Sequence, residues 1–272
     1  MTGKTSIIGK KTPGGDPVEK QAADLRKRFR GATPEAVLAW ALDAYHPDIA
    51  LASSFSMEDI ALIAMMTEIR PDARVFALDT GRLNEETYEV AEAVRRKFGI
   101  RIEWHFPDRA AVEELEREKG LYSFRESLEK RHECCRIRKV EPLVRALAGL
   151  RGWITGQRRE QSPTRGDLSV VEIDAGHGGI LKLNPLADWT SEQVVSFLRE
   201  RKLPYNRLHD AGYPSIGCAP CTRAVQPGED PRAGRWWWER PEHKECGLHQ
   251  AREGGTRKGP KGSGARRGKG DR

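Results

Sequence analysis

The sequence predicts an α/β protein, a parallel sheet with helices on both faces and an irregular C-terminal segment. Three observations carry this. Short apolar runs alternate with amphipathic stretches between residues 48 and 119. The links between them are short, the pattern of strand–helix–strand units in a parallel sheet. After Pro204 the periodicity gives way to a stretch rich in Gly, Pro, Cys and Trp.

The elements follow in order. Residues 1–20 are polar, contain Gly and Pro, and are expected to be disordered. An amphipathic helix is expected from about Asp24 to His46, broken near Gly31–Pro34. The strand "DIALASSF" leads into a helix from Glu58 to Arg70. "RVFALDT" leads into a helix from Asn84 to Phe98, and "IRIEWHF" into one ending at Lys119. "GWITGQRREQSPTR" reads as a strand running into a basic loop. Thr190 and Gln193 make a capping box ahead of Val194, Val195, Phe197 and Leu198. Ligands in such sheets bind beyond the carboxyl ends of the strands. Those ends are Ser53–Met57, Asp79–Arg82 and His105–Asp108.

Composition narrows the class. The chain has 272 residues and a mean hydropathy of −0.67, with no apolar run long enough to span a bilayer. The N-terminal stretch lacks the apolar core of a secretory signal. A cytoplasmic protein is expected. The net charge is +7, but residues 250–272 hold eight Lys or Arg and two acids, leaving about +1 for the rest. That Gly-rich segment is too polar to bury a core and reads as a disordered tail. Nucleic-acid contact through phosphates is the less favoured alternative.

The five cysteines are clustered rather than spread as a disulfide framework. "GCAPC" gives the C-x-x-C pair Cys218 and Cys221. The other pair, Cys134 and Cys135, is adjacent in "RHECCRIRKVEP". Neighbouring Cα atoms lie about 3.8 Å apart, whereas disulfides prefer about 4.4 to 6.8 Å. On a helix neighbouring side chains diverge by about 100°. Diverging thiolates suit the separate iron corners of an iron–sulfur cubane. Zinc and unligated redox cysteines remain open alternatives. Cys246, in "HKECGLH", stands apart from both pairs, with His243 and His249 close by. It is either an incidental thiol or a nucleophile.

Basic residues gather in the candidate loops: Lys139, Arg158, Arg159, Arg165, Arg232 and Arg235. Arginine suits bidentate contact with phosphate or sulfate. The loop "SSFSMED" has no glycine, so it is no Walker-type phosphate loop, and its hydroxyls and acid also read as ordinary helix caps.

Together, "SSFSMED", "ALDTGRLNEETYE", "CCRIRKVEPL", "WITGQRREQSPTR", "NPLADWT", "GCAPCTR" and "ECGLH" carry a resemblance. The chain resembles the assimilatory sulfonucleotide reductases, the PAPS/APS reductase family, and most closely their adenosine 5′-phosphosulfate (APS) reductases. The match runs from about residue 45 to 249. Many members have Gly-Ala where this chain has Ser56 and Met57. The resemblance implies an adenine-nucleotide α-hydrolase-like (Rossmann-like) fold and a single reductase domain over 21–249. Its catalytic C-terminal segment, about 225–249, is expected to be mobile. It implies a [4Fe-4S] cluster on Cys134, Cys135, Cys218 and Cys221. It implies substrate contacts by Ser53, Ser54, Phe55, Asp59, Asp79, Thr80, Gly81, Arg82, Lys139, Arg165, Arg232, Arg235 and His249. Cys246 matches the nucleophile, which attacks sulfur to give an S-sulfocysteine that thioredoxin or glutaredoxin then reduces. Presence of the four cysteines points to APS over its 3′-phosphorylated form, PAPS, with a PAPS or dual-substrate enzyme the nearest alternative. A homo-oligomer is expected and no membrane partner. A metal-cysteine nucleic-acid-binding module is the remote rival, and an ATP-using adenylating enzyme of related fold a further one.

Overall fold

The computed structural model describes residues 17–162 and 165–240. Helices α1 (Pro17–Arg28) and α2 (Pro34–Tyr45) precede the sheet. Three strand–helix units follow: β1 (Ile49–Ser53) and α3 (Met57–Ile69), β2 (Arg74–Leu78) and α4 (Glu85–Phe98), β3 (Ile102–His105) and α5 (Arg109–Lys119), then α6 (Leu128–Cys135), α7 (Glu141–Leu147) and β4 (Gly152–Ile154). A hairpin of β5 (Val171–Asp174) and β6 (Ile180–Leu183) leads to α8 (Ser191–Glu200).

The six strands lie in the order β3-β2-β1-β4-β6-β5. All neighbours are parallel except β5, which runs antiparallel to β6 at the edge. The expected sheet is therefore mixed at one edge, because a short hairpin connects β5 to β6 where a parallel pair would need a long crossover. At the other end of the chain, helix α1 already covers residues 17–20, which the sequence assigns to a disordered start.

The main core lies on one face of the sheet, under α2, α3, α4 and α8. Helix α3 is apolar all round, and Ile60 to Met66 are all buried. Such a helix belongs inside a protein. It packs against α2 and α8 and cannot shift without opening the core. A smaller cluster on the opposite face joins Phe76 and Trp153 to Leu143, Ala146 and Leu147 of α7. The strand order reverses direction between β1 and β4, the place where open α/β sheets leave a crevice.

Candidate ligand cleft and cysteine cavity

A cleft of about 430 Å³ opens at that reversal. The exits of β1 (Ser53 to Ser56) and β4 (Thr155 to Gln157) form its two lips. Its size falls within the range of about 300–1,000 Å³ usual for small-molecule sites. The exit of β3, His105 to Asp108, is absent from its lining, which β3 reaches only through Trp104, one residue earlier.

The β1 lip is held internally. Ser56 caps α3 by accepting from the Asp59 amide at 3.3 Å, and Asp59 reciprocates. One oxygen of Asp59 accepts from the Ser54 amide at 2.7 Å, the Ser54 hydroxyl at 2.9 Å and the Ser56 amide at 3.3 Å. Asp59 is thus committed to the loop and does not reach for a ligand with that oxygen. The amides of Ser54, Phe55, Ser56 and Asp59 are thus engaged within the loop itself. Burial is the largest influence on Asp59 and lifts its carboxyl from the ordinary 3.8 to about 6. The Ser54 bonds oppose that lift and neighbouring Glu58 adds to it. Phe55 sits between with φ +58°, a left-handed backbone that a bulky residue rarely adopts. The strain is held in place by its buried ring and the bonds on either side.

The β4 lip presses against the same helix start. A Cβ on Gly156 would stand 2.5 Å from Asp59 Oδ1 and 2.8 Å from Glu58 Cβ, so only glycine fits. Glu58, buried on the cleft floor, accepts from Arg158 Nε at 2.9 Å and Gln161 Nε2 at 2.9 Å. Arg158 also donates to Glu160, to the Trp189 carbonyl and to Ser191 Oγ. Arg158 is a buried strut and Arg159 is engaged with Asp188 and the Leu168 carbonyl, so neither serves as the loose anion ligand the basic loop suggests. Arg165 does line the cleft and pairs with Gln161.

The turn after β2 divides its residues between two cavities. Thr80 lines the cleft. Asp79 does not: it accepts from the Gly81 amide at 2.7 Å and from the Tyr88 hydroxyl at 3.0 and 3.1 Å. Burial, then Asp79, pushes the Tyr88 phenol up to about 12. Gly81 lies at φ +69° and serves the turn rather than a ligand. Arg82 turns away from the cleft and faces the cysteines, bonded to Glu116 at 2.5 Å.

Those cysteines surround a second, small cavity of about 20 Å³, lined by Cys134, Cys135, Cys218 and Cys221 with Arg82, Phe124, Arg131, Arg138, Lys139, Arg235 and Trp236. Cys134 and Cys135 end helix α6, and the chain then widens into a π-turn over Arg136–Val140 that carries Lys139. Single π-turns inside α-helices mark functional positions in many folds. Thr80 Oγ1 stands 3.2 Å from Cys218 Sγ. Burial, then neighbouring Cys218, pushes the Cys221 thiol up to about 12, and burial raises Cys134 as well. Four half-buried thiols so close together cannot readily ionise together unless a cationic centre offsets their mutual repulsion. No three Cys, His, Asp or Glu side chains among the described residues gather closely enough for one metal ion. The thiols enclose a volume instead. Two buried donors on its wall, Arg138 Nε and Trp236 Nε1, have no hydrogen-bond partner among the described residues. This donor set fits a sulfur-rich, anionic group.

The wall between the two cavities is made of Lys139, Arg235 and Trp236, which line both. Trp236 is fully buried between the guanidiniums of Arg131 at 4.6 Å and Arg235 at 4.7 Å. Arg131, with no exposed surface, pairs with Glu239 through two bonds of 2.8 and 2.9 Å. Arg232 and Arg235 both reach the cleft. The described part of the segment expected to be mobile from about residue 225 is anchored at Trp236 and Glu239, while residues 226–231 are exposed. Cys246 and His249 lie outside the described residues.

Beyond the residues singled out in the sequence, the cleft is lined by Glu58, Thr87, Trp104, Gln157, Asn206 and His209. Sequence reading missed these because they come from five separate elements and share no local motif. His209 donates Nδ1–H to the Tyr213 carbonyl at 2.8 Å, and burial lowers its pKa, favouring the uncharged ring.

The fold and the two cavities define an α/β protein with its ligand cleft at the strand-order reversal and a four-cysteine chamber built into the cleft wall. The chain belongs to the phosphoadenosine phosphosulfate reductase domain family, whose match covers residues 48–224. It is 52% identical over 202 residues to the adenosine 5′-phosphosulfate reductase of Allochromatium vinosum, covering 74% of this chain and 78% of that one. It is 51% identical over 235 residues to the chloroplastic 5′-adenylylsulfate reductase 3 of Arabidopsis thaliana, covering 84% of this chain. The chain spans about half the length of that relative, 51%. Among solved structures it resembles the phosphoadenylyl-sulfate (PAPS) reductase of Candida auris in its phosphate complex, with TM-score 0.66, 26% identity, and coverage of 76% of this chain and 97% of that one. Among the described residues no helix is long and apolar enough to cross a membrane.

Proposed function

We propose that the protein reduces APS to sulfite and AMP in sulfate assimilation, with a thioredoxin-type dithiol as reductant and Cys246 as nucleophile. The observation that carries this reading is the shared wall: Lys139 and Arg235 stand between a nucleotide-sized cleft and the four-cysteine cavity. The names of the relatives support APS as substrate.

The reaction balances as two displacements. The Cys246 thiolate attacks the sulfate sulfur, an S–S bond forms, and the bond from sulfur to the bridging oxygen breaks. AMP leaves with that electron pair. A thiolate of the reductant then attacks Cys246 Sγ and sulfite departs with the S–S pair. The second thiol of the reductant resolves the mixed disulfide, so the dithiol is oxidised and Cys246 is restored. Covalent catalysis divides one hard step in two. The obstacle is a thiolate approaching an anionic phosphosulfate. Lys139, Arg165, Arg232 and Arg235, gathered at the cleft, offset that repulsion and stabilise the leaving phosphate. Ser53, Ser54, Phe55 and Thr80 shape the rest of the pocket.

Cys134, Cys135, Cys218 and Cys221 would hold a [4Fe-4S] cluster. When bound, the cluster supplies a compact charge centre beside Lys139, an organising and electrostatic contribution. The reading further includes a single reductase domain over 21–249, cytoplasmic placement, for which the clustering of the cysteines in sequence speaks, and a homo-oligomer.

The test is APS-dependent sulfite release with reduced thioredoxin, on anaerobically prepared protein of known iron content. The kcat/KM for APS is expected to exceed that for PAPS. Cys246→Ser is expected to abolish sulfite release while iron stays bound, and Ser at any of the other four cysteines to deplete iron. Sulfite release by Cys246→Ser at the wild-type rate, or one equivalent of zinc without iron, overturns the respective assignment.

A further inference from the structure

The registers of the sheet place three side chains in one row at the carboxyl end of the strands. Ser53 of β1 pairs with Ala77 of β2, and Ala77 pairs with Trp104 of β3. Residues paired across parallel strands share a face. All three line the cleft. The row therefore runs small, small, large: two short side chains leave a shelf, and a flat indole stands at its end. Thr87 of α4 and Leu83 close the shelf from above.

The indole is set rather than free. Its ring centroid lies 5.6 Å from Phe55 and 6.4 Å from Tyr88, both tilted by 37°. Phe55 is fixed by the strained loop and Tyr88 by its bonds to Asp79. Yet Trp104 is only half-buried, and its remaining surface is turned to the cleft. The cationic wall of Lys139, Arg232 and Arg235 supplies contacts for an anion. An aromatic plane beside a shelf over small side chains is what a heteroaromatic base requires.

We propose that Trp104 is the base-stacking wall of the cleft, a binding residue for the purine of a nucleoside 5′-monophosphate or its mixed anhydride. This rests on the nucleotide reading above and deepens it. Asp79 then has a defined place: through Tyr88 it holds the ring stack upright, as a positioning residue.

The test compares AMP with ribose 5-phosphate, which keeps the anion and lacks the base. Dissociation constants are measured calorimetrically for the wild type, Trp104→Ala and Trp104→Phe. Base–aromatic stacking in nucleic-acid proteins is worth about 1–3 kcal/mol. Trp104→Ala is expected to weaken AMP about tenfold or more and leave ribose 5-phosphate unchanged. Trp104→Phe keeps a ring and is expected to recover most of the loss, which guards against a fold defect in the alanine variant. Equal weakening of both ligands, or undiminished AMP binding by Trp104→Ala, overturns the stacking wall alone. Failure of the wild type to bind AMP at all overturns the nucleotide reading, and the wall with it.

Discussion

Asp59 shows how one side chain can be read two ways from sequence. Its place in "SSFSMED" suggests a ligand contact, and its place three residues after Ser56 suggests a cap. The geometry decides for the cap: a single oxygen takes three bonds from the loop. Burial still dominates the carboxyl and raises it to about 6. A carboxyl that titrates higher in the folded state than in the unfolded state favours folding when protonated. Its contribution is full below about pH 4 and is lost as pH rises through about 6. A gap of about two pH units at about 1.36 kcal/mol each makes the swing at most about 3 kcal/mol. Asp59→Asn keeps an oxygen for the three donors and cannot ionise. In urea unfolding, the wild type should therefore lose stability relative to Asp59→Asn as pH rises from 4 to 7. Parallel stability curves would refute the raised carboxyl.

Elements explain what was legible in the sequence and what was not. The strands β1 to β3 and helices α3 to α5 stand out because each apolar run is bounded by caps and turns. The hairpin β5–β6 escapes notice because its strands are four residues each, "VEID" and "ILKL", too short for a period to show. The π-turn at Arg136–Val140 is invisible for another reason: the same residues would suit an unbroken α-helix. The four cysteines were legible as one site because their chemistry is rare, whereas Glu58, Trp104 and His209 are common residues made special only by assembly. Arg235 was legible as a basic residue, but not its support. It donates to Ser215 Oγ at 3.3 Å and to the Ile216 carbonyl at 3.2 Å, and its guanidinium lies flat on Gly217. A Cβ at Gly217 would occupy the space of that guanidinium. Gly217→Ala should thus displace Arg235 without removing it, raising KM for the anionic substrate about tenfold. Arg235→Ala should raise KM by a similar factor, and the double variant should be no worse than Arg235→Ala alone, since groups acting through one contact are not additive. Additive losses would show that Gly217 matters for some other reason.

At the scale of the whole molecule, charge is divided unevenly. Residues 250–272 carry a net +6 of the total +7, while the remainder is nearly neutral. The cations placed for chemistry are few and partly enclosed: Lys139, Arg165, Arg232 and Arg235 line the cleft. Enclosed charges are screened weakly by salt, exposed ones strongly. The two sets should therefore respond to different experiments. If the less favoured reading of the tail holds, binding of the full chain to a duplex DNA probe weakens steeply with salt, since each phosphate neutralised contributes about −0.9 to the slope of log K against log salt. On that reading, removing residues 250–272 abolishes the binding. The same truncation should leave kcat/KM for APS within about twofold of the full chain, because the described residues that line the cleft and the cysteine cavity all lie at or before Trp236. Retained DNA binding after truncation would move the nucleic-acid contact onto the folded body and revive the binding-module reading. A collapse of sulfite release, with iron content unchanged, would make the basic tail part of the machinery that delivers Cys246 or the reductant.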